Sequence, residues 1–247
     1  MYQKQYEIST FLTNAQGKLG LYQLLNLLQD IAAEHAEKLG FGFADMIRMN
    51  MFWVLTRQKL HMKYWPQNHE TITIKTWLRL QDGASSNREF TIHMGENCIG
   101  ECTTRWVSLD GLTRRPVNFD RTKFLFQIED MGTVSFDSHK IPSFKGELLT
   151  GFKVRNSDID LNMHVNNTKY AQWILDAIPF NNHFGHLLTD YAVNFLAESK
   201  LSDNIFIEKG VEDKNLEESF KTYFQGRRES DGKIIFTAYL YYTKLNA

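Results

Sequence analysis

The sequence predicts an α+β fold made of two similar units, each a long helix covered by an antiparallel sheet. Residues 19–39 carry apolar side chains at helical spacing, and the segments that follow are rich in aromatic and β-branched residues. The same order, one helix and then about four strands, recurs after residue 149. Because an antiparallel sheet on its own buries one face, one helix per sheet is a natural cover.

In the first unit, a strand over residues 4–12 precedes the helix, and Gly40 and Gly42 end that helix. A turn is predicted at Asp82 and Gly83. Four further strands are predicted over residues 51–64, 70–81, 87–95 and 96–110.

In the second unit, a short strand over residues 150–155 leads to a helix that ends before Pro179. One face of this helix carries Tyr170, Trp173, Ile174 and Ala177. Further strands are predicted over residues 190–200, 204–213, 218–229 and 233–245. We therefore expect units at 1–130 and 149–247, a linker at 131–148, and edge strands that pair into one continuous sheet.

Charge and hydropathy exclude several classes of protein. The formal net charge is −1 and no block of Lys or Arg occurs, which argues against nucleic-acid binding. No uncharged apolar run reaches the length of about 18 residues that a membrane span needs. The N-terminus lacks the apolar region of a signal peptide, so we expect a cytoplasmic protein.

Three polar residues, Asp160, Asn162 and His164, alternate with apolar residues just before the second helix. If this segment is extended, the polar side chains project to one side and the apolar ones anchor it in the core. The free N–H groups of the helix, near Val165, Asn166 and Asn167, would face the same site.

This combination suits hydrolysis of an ester-like bond. A carboxylate can act as general base on water, while an amide or a helix N-terminus stabilises the developing oxyanion. Taken singly, Asp and Asn are common helix caps, and it is their joint spacing with His164 that favours a functional site. No second histidine or cysteine lies at ligand spacing, so no metal is expected.

The stretch "DIDLNMHVNNTKYAQWILDAIP" closely resembles the signature of the acyl-ACP thioesterases. Further matches, "FWVLTRQKLHMKYWP", "ETITIKTWL" and "RWVSLDGLTRRPV", follow in family order in the first half. The resemblance implies a tandem of two hot-dog domains that hydrolyses the thioester of fatty acyl-acyl carrier protein without a cofactor. That reaction releases free fatty acid and terminates chain elongation. Without a plastid-targeting extension, a bacterial type is implied.

The resemblance assigns catalysis to the second half. Its motif residues fall on Asp160, Asn162 and His164, and its downstream glutamate falls on Glu198, predicted here on the strand over residues 190–200. We expect Asp160 or Glu198 to act as base on water and His164 to help position that water. The expected substrate-binding residues are Val165, Asn166, Asn167, Ser199 and, in the acyl pocket of the first half, Trp53.

One position departs from the family pattern. Plant members commonly carry a cysteine where this chain has Ser199, and its only cysteines, Cys98 and Cys102, lie in the other half. A cysteine acyl-enzyme is therefore not expected, and direct attack by water is simpler than attack by Ser199.

Two rival functions remain open at this point. One is an acyl-CoA thioesterase of the same fold, which differs in the carrier of the acyl group. The other is a non-catalytic acyl-binding hot-dog protein. An acidic carrier protein needs a basic surface, for which Arg114-Arg115 and Arg227-Arg228 are candidates. Whether the protein forms a homodimer is also left open. Single-domain relatives pair two hot dogs by dimerising, and the tandem already supplies that pairing within one chain.

Overall fold

The computed structural model describes residues 1–79, 83–118, 131–216 and 219–244, and side chains are described for all of these except 211–216. The chain divides into two compact units, Met1–Ser138 and His139–Ala247. Some predictions lie outside the described residues. These are the strand end at Leu80 and Gln81, the Asp82 position of the predicted turn, and the outermost residues of two strands, Glu218 and Leu245.

The first unit is a helix on a five-stranded antiparallel sheet within the described residues. Its strands lie in the order β1-β3-β4-β5-β2. The elements are β1 (Tyr2–Glu7), α1 (Leu21–Lys38), α2 (Phe43–Arg48), β2 (Met51–Met62), β3 (Thr71–Leu78), β4 (Ser85–Met94) and β5 (Asn97–Asp110).

Helix α1 forms where the apolar spacing predicted it. It buries Leu24, Leu28 and Ile31 on its inner face. Two local details differ from the predictions. Strand β1 ends at Glu7 because Thr10–Leu12 form a 3-10 turn, and the short helix α2 was not predicted. Six residues give under two helical turns, too few for a periodic pattern.

The second unit repeats this architecture. Its described strands lie in the order β7-β10-β9-β8-β6, and each strand pairs antiparallel with its neighbours in this order. The elements are β6 (Glu147–Lys153), α3 (Asn167–Ala177), β7 (His186–Phe195), β8 (Asn204–Leu216), β9 (Ser219–Arg228) and β10 (Ile234–Lys244). Helix α3 has 11 residues against 18 in α1, and it begins after Asn166 and ends before Pro179, as predicted.

The core of the second unit is aromatic. Tyr170 on α3 packs edge-on against Phe195 and Phe236, with ring centroids 5.4 Å and 5.3 Å away. Trp173 stacks on Phe152 of β6. The predicted inner face of this helix is therefore the buried one.

Side chains on the strands of this sheet hydrogen-bond to main-chain groups of the segment that precedes β6. Asn194 and Gln225 are the cross-strand neighbours of Thr237, so the three side chains form a row across β7, β10 and β9. Asn194 bonds the N–H of Ile141 and the carbonyl of His139, and Thr237 donates to the carbonyl of Ile141. Gln225 bonds both the N–H and the carbonyl of Phe144.

Each unit is thus a helix wrapped by an antiparallel sheet, which is the hot-dog arrangement. The predicted α+β tandem of two hot dogs is confirmed. Pairing of the two sheets into one continuous sheet stays a prediction.

Candidate active site

The polar segment before α3 is a tight loop and not an extended strand. Residues Ile159 and Val165 form an antiparallel bridge, and the N–H of Asp160 donates to the carbonyl of His164 at 2.8 Å. The carboxylate Oδ1 of Asp160 accepts the N–H of Asn162 at 2.8 Å and approaches that of His164 at 3.5 Å. Asp160 therefore closes the loop that carries the other two polar residues.

The prediction that alternate apolar residues anchor this segment in the core is wrong for the loop tip. Leu161 is 80% exposed and Met163 is 76% exposed, while Val165 at the loop's end is buried. Met163 has φ +62°, a left-handed conformation that an extended strand does not contain. The loop reverses direction here, so its apolar side chains project outward.

Glu198 lies beyond the end of β7, in the loop that leads to β8, so its predicted place on a strand is wrong. The N–H groups of Leu196 and Ala197 both donate to the carbonyl of Ile235, which ends the regular pairing of β7 with β10. The chain then leaves the sheet, and the Glu198 side chain is 41% exposed.

The two loops meet at the N-terminus of α3. The N–H of Val165 donates to the carbonyl of Ser199 at 3.1 Å and joins one loop to the other. His164 Nε2 lies 3.0 Å from Glu198 Oε2, with the imidazole side chain 21% exposed. A carboxylate in this position orients the imidazole ring by accepting a hydrogen bond from Nε2–H.

The N-terminus of α3 offers fewer free donors than predicted. Asn166 is the N-cap, and its side chain accepts the N–H of Thr168. The N–H of Asn166 itself donates to the carbonyl of Asp158, and that of Val165 is engaged by Ser199. Among the described residues the N–H of Asn167 has no partner, so it is the donor that this end of the helix leaves available.

Ser199 is fully buried beside the phenol of Tyr170. Burial raises the pKa of Tyr170 to about 12, and its contact with Ser199 opposes part of that rise. A hydroxyl enclosed in this way faces the core of the second unit, so its surroundings are those of a structural residue.

Trp53, predicted to bind substrate, lies on β2 in the first unit. It packs against Phe41, with ring centroids 6.3 Å apart, beside the buried residues Met46 and Leu78.

Sequence reasoning missed one contact of the site. Arg228, treated above as half of a basic surface pair, donates from Nη1 to the main-chain carbonyl of Glu198 at 2.9 Å. The Arg227-Arg228 pair was visible in the sequence, but which loop it reaches depends on the register of β9.

Across the described ranges, no group of three or more His, Cys, Asp or Glu side chains is arranged to hold a metal ion. In the same ranges, none of the helices is long and apolar enough to cross a membrane.

Several solved structures share this fold. An acyl-ACP thioesterase from Bacteroides thetaiotaomicron superposes with a TM-score of 0.85 at 22% identity, covering 98% of this chain and 97% of that one. The 12:0-ACP thioesterase from Umbellularia californica gives a TM-score of 0.83 at 17% identity, covering 99% and 97%.

Two plant proteins are among the curated relatives. An oleoyl-acyl carrier protein thioesterase of Coriandrum sativum is 28% identical over 200 residues, 73% of this chain and 54% of the relative. One from Arabidopsis thaliana is 26% identical over 223 residues, 82% of this chain and 61% of the relative. The chain thus spans little more than half the length of the curated relatives it matches.

Two family models match in tandem, in the order of the two units. The acyl-ACP thioesterase N-terminal domain matches residues 1–121, and the acyl-ACP thioesterase C-terminal domain matches residues 143–244. Together they account for most of the sequence, and the chain therefore belongs to the acyl-ACP thioesterase family.

Proposed function

We propose that this protein hydrolyses the thioester between a fatty acyl chain and acyl carrier protein, which releases the fatty acid and ends chain elongation. The observation that carries the proposal is the 3.0 Å contact between His164 and Glu198 at the start of α3. Family membership and the oleoyl-acyl carrier protein substrate in the names of the plant relatives support it.

In the proposed mechanism, His164 and Glu198 act as one acid–base unit. Nε2–H of His164 donates to the Glu198 carboxylate, which fixes the tautomer and leaves the Nδ1 lone pair to accept a proton from water. The water oxygen attacks the thioester carbonyl carbon. When the tetrahedral intermediate collapses, the C–S bond breaks and the imidazolium returns the proton to the sulfur of the carrier's thiol.

Asp160 has a different role in this scheme. Its Oδ1 is engaged by main-chain N–H groups of its own loop, so it holds Asn162 and His164 in place. We propose that Asp160 positions the loop, and that the proton of the attacking water passes to the His164–Glu198 pair and not to Asp160.

The oxyanion is stabilised in this scheme by the N–H of Asn167 and the side-chain amide of Asn162. The Asn162 side chain is exposed and makes no hydrogen bond within the described part of the chain. The N–H groups of Val165 and Asn166 are already bonded, so these two residues contribute through the shape of the loop. Each oxyanion donor is typically worth ~10²–10³ in kcat.

The acyl chain needs an apolar pocket, which we propose includes the cluster around Trp53 in the first unit. Trp53 and its neighbours Met49 and Met51 are partly buried and apolar, as an alkyl chain requires. We propose that Ser199 stabilises the site through its main-chain carbonyl, which accepts a hydrogen bond from the N–H of Val165.

The decisive experiment compares Asp160→Asn with Glu198→Gln. An asparagine still accepts hydrogen bonds through Oδ1, so D160N should keep much of the activity, whereas E198Q should lower kcat by ~10²-fold or more. Asn162→Ala should lower kcat by ~10²-fold. If E198Q hydrolyses acyl-acyl carrier protein at the wild-type rate, the proposed acid–base pair is wrong.

The substrate carrier is decided by measuring kcat/KM on acyl-acyl carrier protein and on acyl-CoA with the same acyl chain. Preference for the carrier protein supports the proposal, and preference for CoA would replace it by an acyl-CoA thioesterase. A stable acyl complex without turnover would instead indicate a binding protein.

We also propose a cytoplasmic location. Both cysteines, Cys98 and Cys102, are free, as expected in a reducing compartment.

The homodimer stays a prediction. Light scattering of the purified protein measures whether it is a monomer or a dimer.

A further inference from the structure

Arg228, the last residue of β9, connects three parts of the second unit. Its Nε and Nη2 donate to the two carboxylate oxygens of Asp231 at 3.0 Å and 2.6 Å. Its Nη1 donates to the carbonyl of Glu198 at 2.9 Å and lies 3.8 Å from the carboxylate of Asp203. One guanidinium therefore joins the β9–β10 turn to both ends of the loop between β7 and β8.

The Glu198 loop needs such a contact because it has left the sheet. Its N–H groups at Leu196 and Ala197 bond to Ile235, and its carbonyl at Ser199 accepts from Val165. Between these points, Arg228 holds the carbonyl of Glu198 itself. This bond fixes the peptide from which the Glu198 carboxylate projects.

We propose that Arg228 is a positioning residue, which fixes the main chain of Glu198 and thereby aims its carboxylate at Nε2 of His164. The inference rests on the proposed function, since it assumes that Glu198 takes part in thioester hydrolysis. Arg228 does not touch the reacting atoms. It acts by holding the main chain of Glu198 in place, which restricts the positions that the carboxylate can reach.

The surroundings of Arg228 argue against its other role, that of a cation for docking an acidic carrier protein. Its side chain is only 18% exposed, and its charge is balanced by Asp231 and Asp203. A docking cation is normally exposed and free to pair with the partner. The guanidinium of Arg228 is bonded to groups of its own chain.

The neighbouring Arg227 provides a matched control. It makes a similar two-pronged ion pair, with Glu208 at 2.7 Å and 3.0 Å, and it also bonds the carbonyl of Gly232 in the β9–β10 turn. It does not bond the Glu198 loop. Arg227→Gln therefore removes the same charge and a comparable ion pair, and leaves the anchor of Glu198 in place.

The kinetic test measures kcat and KM of R228Q, R228K and R227Q on acyl-acyl carrier protein and on acyl-CoA. A misplacement on the order of 1 Å can cost about 10²-fold, so R228Q should lower kcat by about 10- to 100-fold on both substrates with little change in KM. R228K keeps one donor and should be intermediate. R227Q leaves the Glu198 carbonyl bonded to Arg228, so it should lower kcat much less than R228Q does.

A double-variant cycle separates positioning from a general loss of stability. If Arg228 acts through the Glu198 carboxylate, R228Q should cost nothing further in an E198Q background. Additive losses would overturn the inference. So would a kcat loss in R227Q equal to that in R228Q, or an R228Q variant that raises KM for the carrier substrate alone.

Crystal structures give a readout that does not depend on activity. In R228Q we expect the Glu198 carboxylate to move beyond about 3.5 Å from Nε2 of His164, with the rest of the unit unchanged. An unaltered contact in R228Q would overturn the inference. If the wild type hydrolyses no thioester, the proposed function fails, and this distance still decides whether Arg228 positions Glu198.

Discussion

Glu89 carries a carboxyl group whose protonation should affect the stability of the first unit. It lies on β4, fully buried, where its Oε1 accepts from the hydroxyl of Thr103 at 3.1 Å and lies 3.4 Å from Arg79. Its Oε2 is buried and has no hydrogen-bond partner within the described residues. Burial raises the pKa of Glu89 from 4.5 to about 7, although Thr103 and Arg79 oppose the rise.

The sign of the effect on stability follows from proton binding. Between pH 4.5 and about 7, the folded protein holds a proton on Glu89 that the unfolded chain has lost. Stability from this carboxyl is therefore fully present below pH 4.5 and is lost as the pH rises through about 7. The difference between the two pKa values corresponds to about 3 kcal/mol.

The perturbation is Glu89→Gln, which keeps an acceptor for Thr103 and cannot ionise. The free energy of unfolding in urea, measured at pH 5 and pH 8 for both proteins, should show E89Q gaining about 2–3 kcal/mol on the wild type between the two pH values, because a small part of the effect is already present at pH 5. Glu96→Gln, in the exposed turn between β4 and β5, is the control and should show no such change.

A direct readout is the carboxyl carbon resonance of Glu89, which should titrate with a midpoint near pH 7. If the free energies of wild type and E89Q change in parallel between pH 5 and pH 8, the carboxyl is not held protonated and the prediction is wrong.

Three further substitutions test other parts of the second unit. Asn194→Ala leaves two main-chain groups unpaired and should lower the free energy of unfolding by about 2 kcal/mol or more, whereas the exposed Asn204→Ala should stay within about 0.5 kcal/mol in the same urea titration. Ser199→Ala should keep near wild-type kcat because its hydroxyl is buried; a fall of several orders of magnitude in a thioesterase assay would identify it as the nucleophile. Gly226→Ala places a Cβ 2.2 Å from the ring of Phe236 and should cost about 1–3 kcal/mol in unfolding free energy, and an unchanged midpoint would contradict this.

The parts of the fold predicted from sequence are those that local periodicity determines. The face of α1 with Leu24 and Leu28, and that of α3 with Tyr170 and Trp173, are buried as the spacing predicts. Residue alternation likewise located the strands. The His164 and Glu198 side chains, placed in one site by resemblance, lie in contact.

The conformation of the loop between Ile159 and Val165 could not be predicted in the same way. Alternating polar and apolar residues indicate a strand, but a turn with exposed apolar tips gives the same pattern. The outcome here depends on the Asp160 carboxylate, which bonds its own loop, and on the left-handed Met163. The contact of Arg228 with Glu198 joins residues 30 positions apart and depends on the register of β9 and β10, which composition does not reveal.

The row of Asn194, Thr237 and Gln225 has a consequence for how sequences in this family diverge. These side chains bond peptide N–H and C=O groups of residues 139, 141 and 144, which almost any residue supplies. Pro142 has no N–H to donate, and it lies at a position that makes none of these hydrogen bonds. We therefore expect the exposed positions 140 and 143 to vary among homologues, and the side chains of Asn194, Thr237 and Gln225 to be retained.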